Sequence, residues 1–543
     1  MDVLHTDVLI VGGGLSSWMA AHTLLARKNC RVLMLSDGQG ASPWVHGFNV
    51  PLHADDSIAC FYQDTRRSGY KQNDPRLARA LCEDSSSIFE EMLSLGAVFN
   101  RTADGGYQLL RPLGASHPRV ASIGNETGPA IMEKLKEKVC AKEGFVHLHH
   151  ARALRLMMKD GRVQGALAWN KETNSFFTIS AGCVLLANGG FGRIYPFSTN
   201  LPDGGGDGIA MAYYAGADLV DMEFIQFEPS AAVHPEGVRG KGMITTLFYE
   251  GAVLKNALGE RFMLQYGEKG ERVDKDVLAR CIAREIQEGR GTEHGGVWFD
   301  ATGVPKDRLE NDYPMYVERY RRHGIELSET PVELAPAPHT TLGGVVIDEN
   351  CRSTVPGLIA AGEIAGGLHG ANRIGGNAGL ETLVYGRRAG LTLAETDFES
   401  GADAEELNAW AEEICKIGSE NIEDKTKEIR TEMQNALQKG AYVLRSGKLL
   451  EDALQSASEL QHHVSALPPC PAEQAFARLR LENDLTAARL VILSALERKE
   501  SVGCHVRSDC PERESSRYRI HVQLKDQLLR VTREDWSKQS EED

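Results

Sequence analysis

Residues 339–390, HTTLGGVVIDENCRSTVPGLIAAGEIAGGLHGANRIGGNAGLETLVYGRRAG, decide how this chain folds, jointly with its first forty residues. Leu358 to Ala361 is a short apolar run that ends on Gly362-Glu363. Gly375-Gly376-Asn377-Ala378 then turns into a helix predicted over Leu380–Ala394. An acid at the carboxyl end of a strand, followed by glycines, marks the edge of an open α/β sheet where ligand binds. Upstream, Gly343–Asp348 reads as a hairpin arm.

The matching half lies at the N-terminus. Asp7–Val11 (DVLIV) has the apolar, β-branched profile of a buried parallel strand. Gly12-Gly13-Gly14-Leu15-Ser16-Ser17 follows, then a helix to about Ala26 and a second strand, Arg31–Leu35, ending at Ser36-Asp37. This is a βαβ unit with a dinucleotide fingerprint. Its glycines let the backbone turn and approach a pyrophosphate, whose charge is favoured at the helix N-terminus. Ser17 takes the third glycine position, and Ser36 stands where an acid often grips a ribose hydroxyl, with Asp37 beside it.

Outward from these halves, Ala41–Leu52 (ASPWVHGFNVPL) is a loop suited to line a flat cofactor, and it contains Ser42, His46 and Gly47. Helices are predicted over Pro75–Phe99, where Leu77, Leu81, Ile88 and Met92 recur at helical spacing, and over Gly128–Val139. Strands flank the Asp160-Gly161 turn, and Ser180–Ala187 is a buried strand ending in Asn188-Gly189-Gly190, a second place for close backbone approach. Asp207 opens a helix after three glycines, as an N-cap compatible with cofactor contact. Asp221–Ser230 reads as a strand entering a separate module with helices at Asp276–Glu288 and Tyr313–His323. From Ala402 the composition shifts to Glu, Lys, Gln, Ala and Leu, giving bundle helices over 404–421, 424–445, 449–466 and 472–499, then a short strand pair. No internal repeat is present.

With 543 residues, 42% hydrophobic and 25% charged, the chain has the make-up of a globular enzyme of two or three domains. A net charge of -16 opposes nucleic acid or an anionic membrane as main partner. The eleven cysteines form no CxxC pair, and Cys504 to Cys510 fits no common zinc or iron–sulfur spacing, so no metal site is expected. The apolar N-terminus lacks a basic leader segment, and no apolar run approaches the ~20 residues of a membrane span. A cytoplasmic protein without a direct membrane span is expected.

These stretches together resemble the flavoprotein family that includes succinate dehydrogenase, fumarate reductase and L-aspartate oxidase. The likeness rests on the N-terminal fingerprint, ANGGFGRIY with Ser198-Thr199-Asn200, GDGIAMA, DMEFIQF, GERFM, PGLIAAGE, HGANRIGGN and the helical C-terminus. Residues 500–507, ESVGCHVR, look like the ESRGAHYR pattern of that C-terminal domain, and Ser36 is closest to the aspartate oxidase branch. The resemblance implies an α/β, Rossmann-like FAD-binding domain over 1–225 and 336–400, an inserted α+β capping domain over 226–335 and a C-terminal helical domain over 401–543. FAD would lie between the fingerprint and Glu363. Gly12, Gly13, Gly14, Leu15, Ser16 and Ser17 would hold the pyrophosphate, and Ser36 or Asp37 the ribose. Ser42, His46 and Gly47 would surround the isoalloxazine, and Asn188, Gly189, Asp207, Glu363, Asn377, Ala378 and Gly379 would add contacts. Dehydrogenase members bind flavin covalently through a His in the early loop; Ala41 stands at that position here, so non-covalent FAD is expected.

His339 and Arg373 match the pair that holds a substrate carboxylate, for which a guanidinium is the natural bidentate partner. The capping domain departs from the pattern. The family's QFHPT is Gln226-Phe227-Glu228-Pro229-Ser230 here, the relay pattern TEAxRGEGA has lost its Glu and Arg over Thr245–Ala252, and Lys275 stands in place of the catalytic Arg. Glu228 would repel a second carboxylate, so an amine, hydroxyl or amide suits that end of the substrate better. The resemblance thus implies an FAD-dependent two-electron oxidoreductase acting on a small carboxylate-containing substrate through Lys275, His339, Arg373 and Glu228. Two further readings stay open: L-aspartate oxidase, and a flavoprotein subunit that relays electrons to an iron–sulfur partner.

Overall fold

The computed structural model describes residues 1–112 and 114–536; the last residues of the expected C-terminal domain, 537–543, lie outside this range. At its centre is a sheet built from β1 (Asp2–Val11), β2 (Val32–Ser36), β3 (Phe145–His149), β4 (Ala151–Lys159), β5 (Arg162–Asn170) and β6 (Ser175–Leu186). The order is β3-β2-β1-β6-β5-β4, with β3, β2, β1 and β6 mutually parallel and the β4–β5 hairpin antiparallel to β6. Helix α1 (Leu15–Leu25) starts directly at the tip of β1, and α2 (Pro75–Ser94) and α3 (Thr127–Cys140) pack over the same body. Val8, Leu9 and Ile10 of β1 are buried on both faces, which is why that segment reads as a continuous apolar run and not an alternating one.

The chain then enters helix α4 (Asp207–Tyr214) and the short strand β7 (Leu219–Val220). A second unit follows: β8 (Ile225–Ala232), β9 (Val253–Lys255), helix α5 (Lys275–Glu285), β10 (Val297–Asp300) and β11 (Val332–Thr341). Its antiparallel sheet runs β8-β11-β10-β9. It has a core of its own, with Leu247, Phe262, Phe299, Tyr320 and Leu334 clustered apart from the main one. The helix expected over 313–323 is present as Pro314–Arg321, and a further short helix, Lys306–Asp312, precedes it and ends before Pro314.

The return half supplies β12 (Gly344–Val345), β13 (Leu358–Ala360) and helix α6 (Asn377–Glu395). β13 joins the central sheet parallel to β6, with Leu358 opposite Val184 and Ala360 opposite Leu186. The hairpin arm expected over 343–348 is corrected: β12 pairs antiparallel with β7 instead, Leu219 opposite Val345. Helix α6 lies against α1, so the two sequence halves meet as predicted from their glycines. The C-terminal bundle comprises α7 (Ala404–Cys415), α8 (Glu423–Gly440), α9 (Gly447–Ser465) and α10 (Ala472–Glu497). The strand pair β14 (Tyr518–Lys525) and β15 (Leu528–Asp535) docks on β7, giving the sheet β12-β7-β14-β15. No helix among the described residues is long and apolar enough to cross a membrane.

Candidate active site

The tips of β1, β2 and β6 open onto a cleft of about 960 Å³, counting space open to solvent. Gly12 adopts φ +125°, and a Cβ there would fall 2.2 Å from the Ala187 carbonyl oxygen. At Gly13 a Cβ would meet Ser36 and the Gly38 carbonyl below 3 Å. Side chains at these two positions would fill the cradle, so the backbone N–H groups at the start of α1 stay open to an anion. Gly14, Leu15, Ser16, Ser36, Asp37, Ser42, Asn188, Gly189, Asp207, Glu363 and Ala378 line the same cleft. The side-chain oxygen of Asn188 is buried there without a partner.

Five of the residues expected at the cofactor are not part of the cleft wall. Ser17 is buried and donates its hydroxyl to the Ala187 carbonyl. Gly47 and Gly379 abut backbone, where a Cβ would meet Ala121 O at 2.5 Å and Gly47 O at 2.8 Å respectively. Asn377 accepts from Asn49 Nδ2 at 2.6 Å and donates to Thr65 Oγ1 at 3.2 Å, so its amide ties the return turn to the body. His46 has an exposed side chain, and its carbonyl accepts from Thr127. Asp207 is not an N-cap. The cap position is Gly206, and the Asp207 carboxylate accepts from Arg152 Nη1 and Asn483 Nδ2, both at 2.6 Å. Burial would raise that carboxyl, but Arg152, Arg480 and Asn483 outweigh it and hold it below the usual range.

Sequence reasoning missed Arg152, which spans the nucleoside end of the cleft. Its signal was available: a cation inside β4, whose first seven residues, ARALRLM, are all buried. Arg152 also reaches Asp37, which pairs in turn with Lys171 at 2.7 Å. Ser36 Oγ lies 2.8 Å from His147 Nε2. Burial, with His149 and Lys136 near, lowers that imidazole to about 4, leaving it neutral. At the other end Glu363 accepts from the Thr341 N–H at 3.0 Å, and burial raises its carboxyl to about 7.

Beyond Glu363 the two units face one another. His339 and Thr340, on β11, Glu228, on the neighbouring β8, and Lys275, the first residue of α5, come from the second unit; Arg373, on the return loop, comes from the body. Lys275 Nζ donates to Glu228 Oε2 at 2.5 Å, and Ser230 Oγ donates to Glu228 Oε1 at 2.8 Å. Burial would raise Glu228, but the Lys275 charge holds the carboxyl below its ordinary value, so the pair is ionic. His339 is pushed down to about 4 by burial, hence neutral. Its Nδ1 lies 2.9 Å from Thr199 Oγ1. The Pro338 carbonyl accepts from the Thr199 N–H and from Ser198 Oγ. The Thr199 hydroxyl is also placed to donate to that carbonyl, at 3.1 Å.

Arg373 is an under-used guanidinium. Its Nη2 reaches Thr340 Oγ1 at 3.3 Å, its Nη1 reaches Ile374 O at 3.5 Å, and its Nε is buried with no partner. Burial lowers its pKa. Away from this site, Asp56, Cys60 and His117 come within metal-ligand distance of one another. Both Asp56 oxygens are already taken by Arg119, at 2.6 and 2.8 Å, so the donor set is not free.

Comparison with known proteins agrees with this geometry. The FAD binding domain family model matches residues 7–378, and the fumarate reductase flavoprotein C-term model matches residues 430–539. A fumarate reductase (CoM/CoB) subunit of Methanothermobacter marburgensis is 36% identical over 94% of this chain and 95% of its own length. L-aspartate oxidase of Yersinia pestis is 31% identical over 93% and 96%. The solved structure of Mycobacterium smegmatis Sdh1 in complex with UQ1 superposes with a TM-score of 0.89 at 26% identity, covering 99% of this chain and 95% of that one. The chain belongs to the FAD-binding flavoprotein family of fumarate reductases, succinate dehydrogenases and L-aspartate oxidases, and is an FAD-dependent oxidoreductase.

Proposed function

We propose that this oxidoreductase acts on a small molecule with one carboxylate, which Arg373 and His339 hold against the flavin. The observation that carries the reading is Arg373: a half-buried guanidinium whose buried Nε has no partner and whose other contacts are long. Leaving such donors unsatisfied is costly, and a bidentate carboxylate is the ligand that satisfies them. Neutral His339 adds a polar ring at the same end of the substrate without adding charge. Bound FAD supplies the two-electron chemistry; the chain's own groups bind, orient and move protons.

At the far end of the substrate the ionic Lys275–Glu228 pair replaces a lone charge. Its net charge is near zero, so it offers donors at Nζ and acceptors at the carboxylate and no free cation for a second acid. An amine, hydroxyl or amide fits there. Lys275 Nζ is the group placed to give or take a proton. Full turnover in Lys275→Ala would remove that role.

A panel of amino, hydroxy and unsaturated acids, tested for change in the flavin's visible spectrum, is the direct experiment. Arg373→Lys should weaken the responding compound roughly tenfold or more, since one or two charge-assisted hydrogen bonds are lost. Family-like fumarate reduction or aspartate oxidation would sink the diverged-substrate reading. A second reading has support in the Methanothermobacter relative, which is named as one subunit of a larger enzyme: this chain would work with an iron–sulfur partner. Co-purifying iron with no substrate-dependent bleaching favours that reading, and aspartate-dependent peroxide favours an L-aspartate oxidase.

A further inference from the structure

Arg152 is the only Lys or Arg in the cleft wall among the described residues. Its guanidinium is already spent in its own plane. Nε donates to Asp37 Oδ2 at 3.1 Å, Nη1 to Asp207 Oδ2 at 2.6 Å and Nη2 to the Asp203 carbonyl at 2.9 Å. The acceptors are fixed in turn: Asp37 by Lys171 Nζ at 2.7 Å, and Asp207 by Asn483 Nδ2 at 2.6 Å. Arg152 is therefore a poor pyrophosphate clamp, because its charge is balanced and each nitrogen has an acceptor. What it has left to offer the cleft is its flat face. A delocalised, weakly hydrated guanidinium stacks well on aromatic rings, and its side chain is held 9% exposed at this spot. The position is at the nucleoside end, beside Asp37 at the tip of β2, whereas the pyrophosphate cradle lies at Gly12–Ser16.

We propose that Arg152 is a specificity-determining residue for the cofactor: its guanidinium face is the platform on which the adenine of FAD stacks, so that this chain selects FAD over a flavin lacking the adenylate. Asp37, Asp203 and Asp207 serve this platform by holding its plane. Cofactor selection, not substrate chemistry, is at stake, so the inference goes beyond the function proposed above.

The test uses the full-length chain, freed of flavin and titrated with FAD and with FMN, with loss of flavin fluorescence as readout. In Arg152→Met, FAD affinity should fall roughly 5- to 100-fold, the range for loss of one stacked base, while FMN affinity stays unchanged. Arg152→Lys keeps a cation for Asp207 but has no planar face, so it should bind FAD as weakly as Arg152→Met. Full FAD affinity in Arg152→Lys would overturn the proposal in favour of simple charge balance. Equal loss of FAD and FMN affinity would overturn it in favour of a structural prop, and unchanged FAD affinity in Arg152→Met would overturn it outright. Should Arg152→Met not fold, as judged by melting of the flavin-free chain, the Arg152→Lys titration alone decides between face and charge.

Discussion

Glu228 and Lys275 show how two substitutions that each look damaging become one device. An acid in place of a substrate-binding His would be costly if buried alone, and a Lys is no substitute for a guanidinium. Together, at 2.5 Å, they neutralise each other. Lys275→Met should therefore destabilise the chain by about 1–3 kcal/mol, the reduced cost of unpairing a buried acid whose partner is a third exposed. The sign with pH is fixed by the depressed Glu228 carboxyl: its stabilising contribution is present above its ordinary value of 4.5 and fades as pH falls through its lowered value. Thermal melts of Lys275→Met and wild type should thus differ most at neutral pH and converge in acid. The identities of these two residues were legible in the sequence. Their contact was not, because they stand 47 positions apart on a strand and a helix whose approach depends on a separate core. Asp37 and Asp207 were legible as cleft residues for similar reasons, yet their direct partner is Arg152, a long-range contact that no local pattern announces.

At the scale of elements, glycine-marked turns and apolar runs transmitted well, whereas pairing partners did not. β1, α1, β2 and α6 follow from turn chemistry and periodicity, both local properties. The β12–β7 pairing was misread as a hairpin because only two residues pair and their partner strand lies more than a hundred positions upstream. Two elements carry their own predictions. Glu363 follows β13 with its carboxyl raised to about 7 from 4.5. Between those values the folded chain keeps a proton that the unfolded chain releases, so this group lowers stability as pH rises through the window. Glu363→Gln should abolish that slope, gaining about 2–3 kcal/mol on wild type between pH 5 and 8 in urea denaturation of the flavin-free chain. Helices α1 and α6 touch through Gly390, where a Cβ would meet Ala20 O and Thr23 Cβ at 2.6 Å. Gly390→Val should cost about 1–3 kcal/mol through overpacking, visible as a lower melting temperature with the flavin still bound at saturation.

For the molecule as a whole, the three-part architecture was readable because each part has its own compositional signature, and the comparisons place the chain in the family the motifs indicated. What the sequence could not display is how the C-terminal bundle, outside the cleft wall, supports the cleft. Flavin attachment is a property of the whole assembly, and acid precipitation of the purified protein should release all yellow colour into the supernatant. A yellow pellet would point to His46, the exposed imidazole of the early loop. The cleft also has a remote support. Asn483 holds Asp207, and Asp484 accepts the Gly206 N–H at 2.7 Å, both from helix α10 near the end of the chain. During synthesis, then, a ribosome that has finished the fingerprint, the return loop and the substrate-facing unit has still not delivered the brace for the nucleoside end. Chains truncated before residue 484 should therefore purify with less bound flavin than the full chain, however complete their glycine motifs, as the flavin-to-protein absorbance ratio would show.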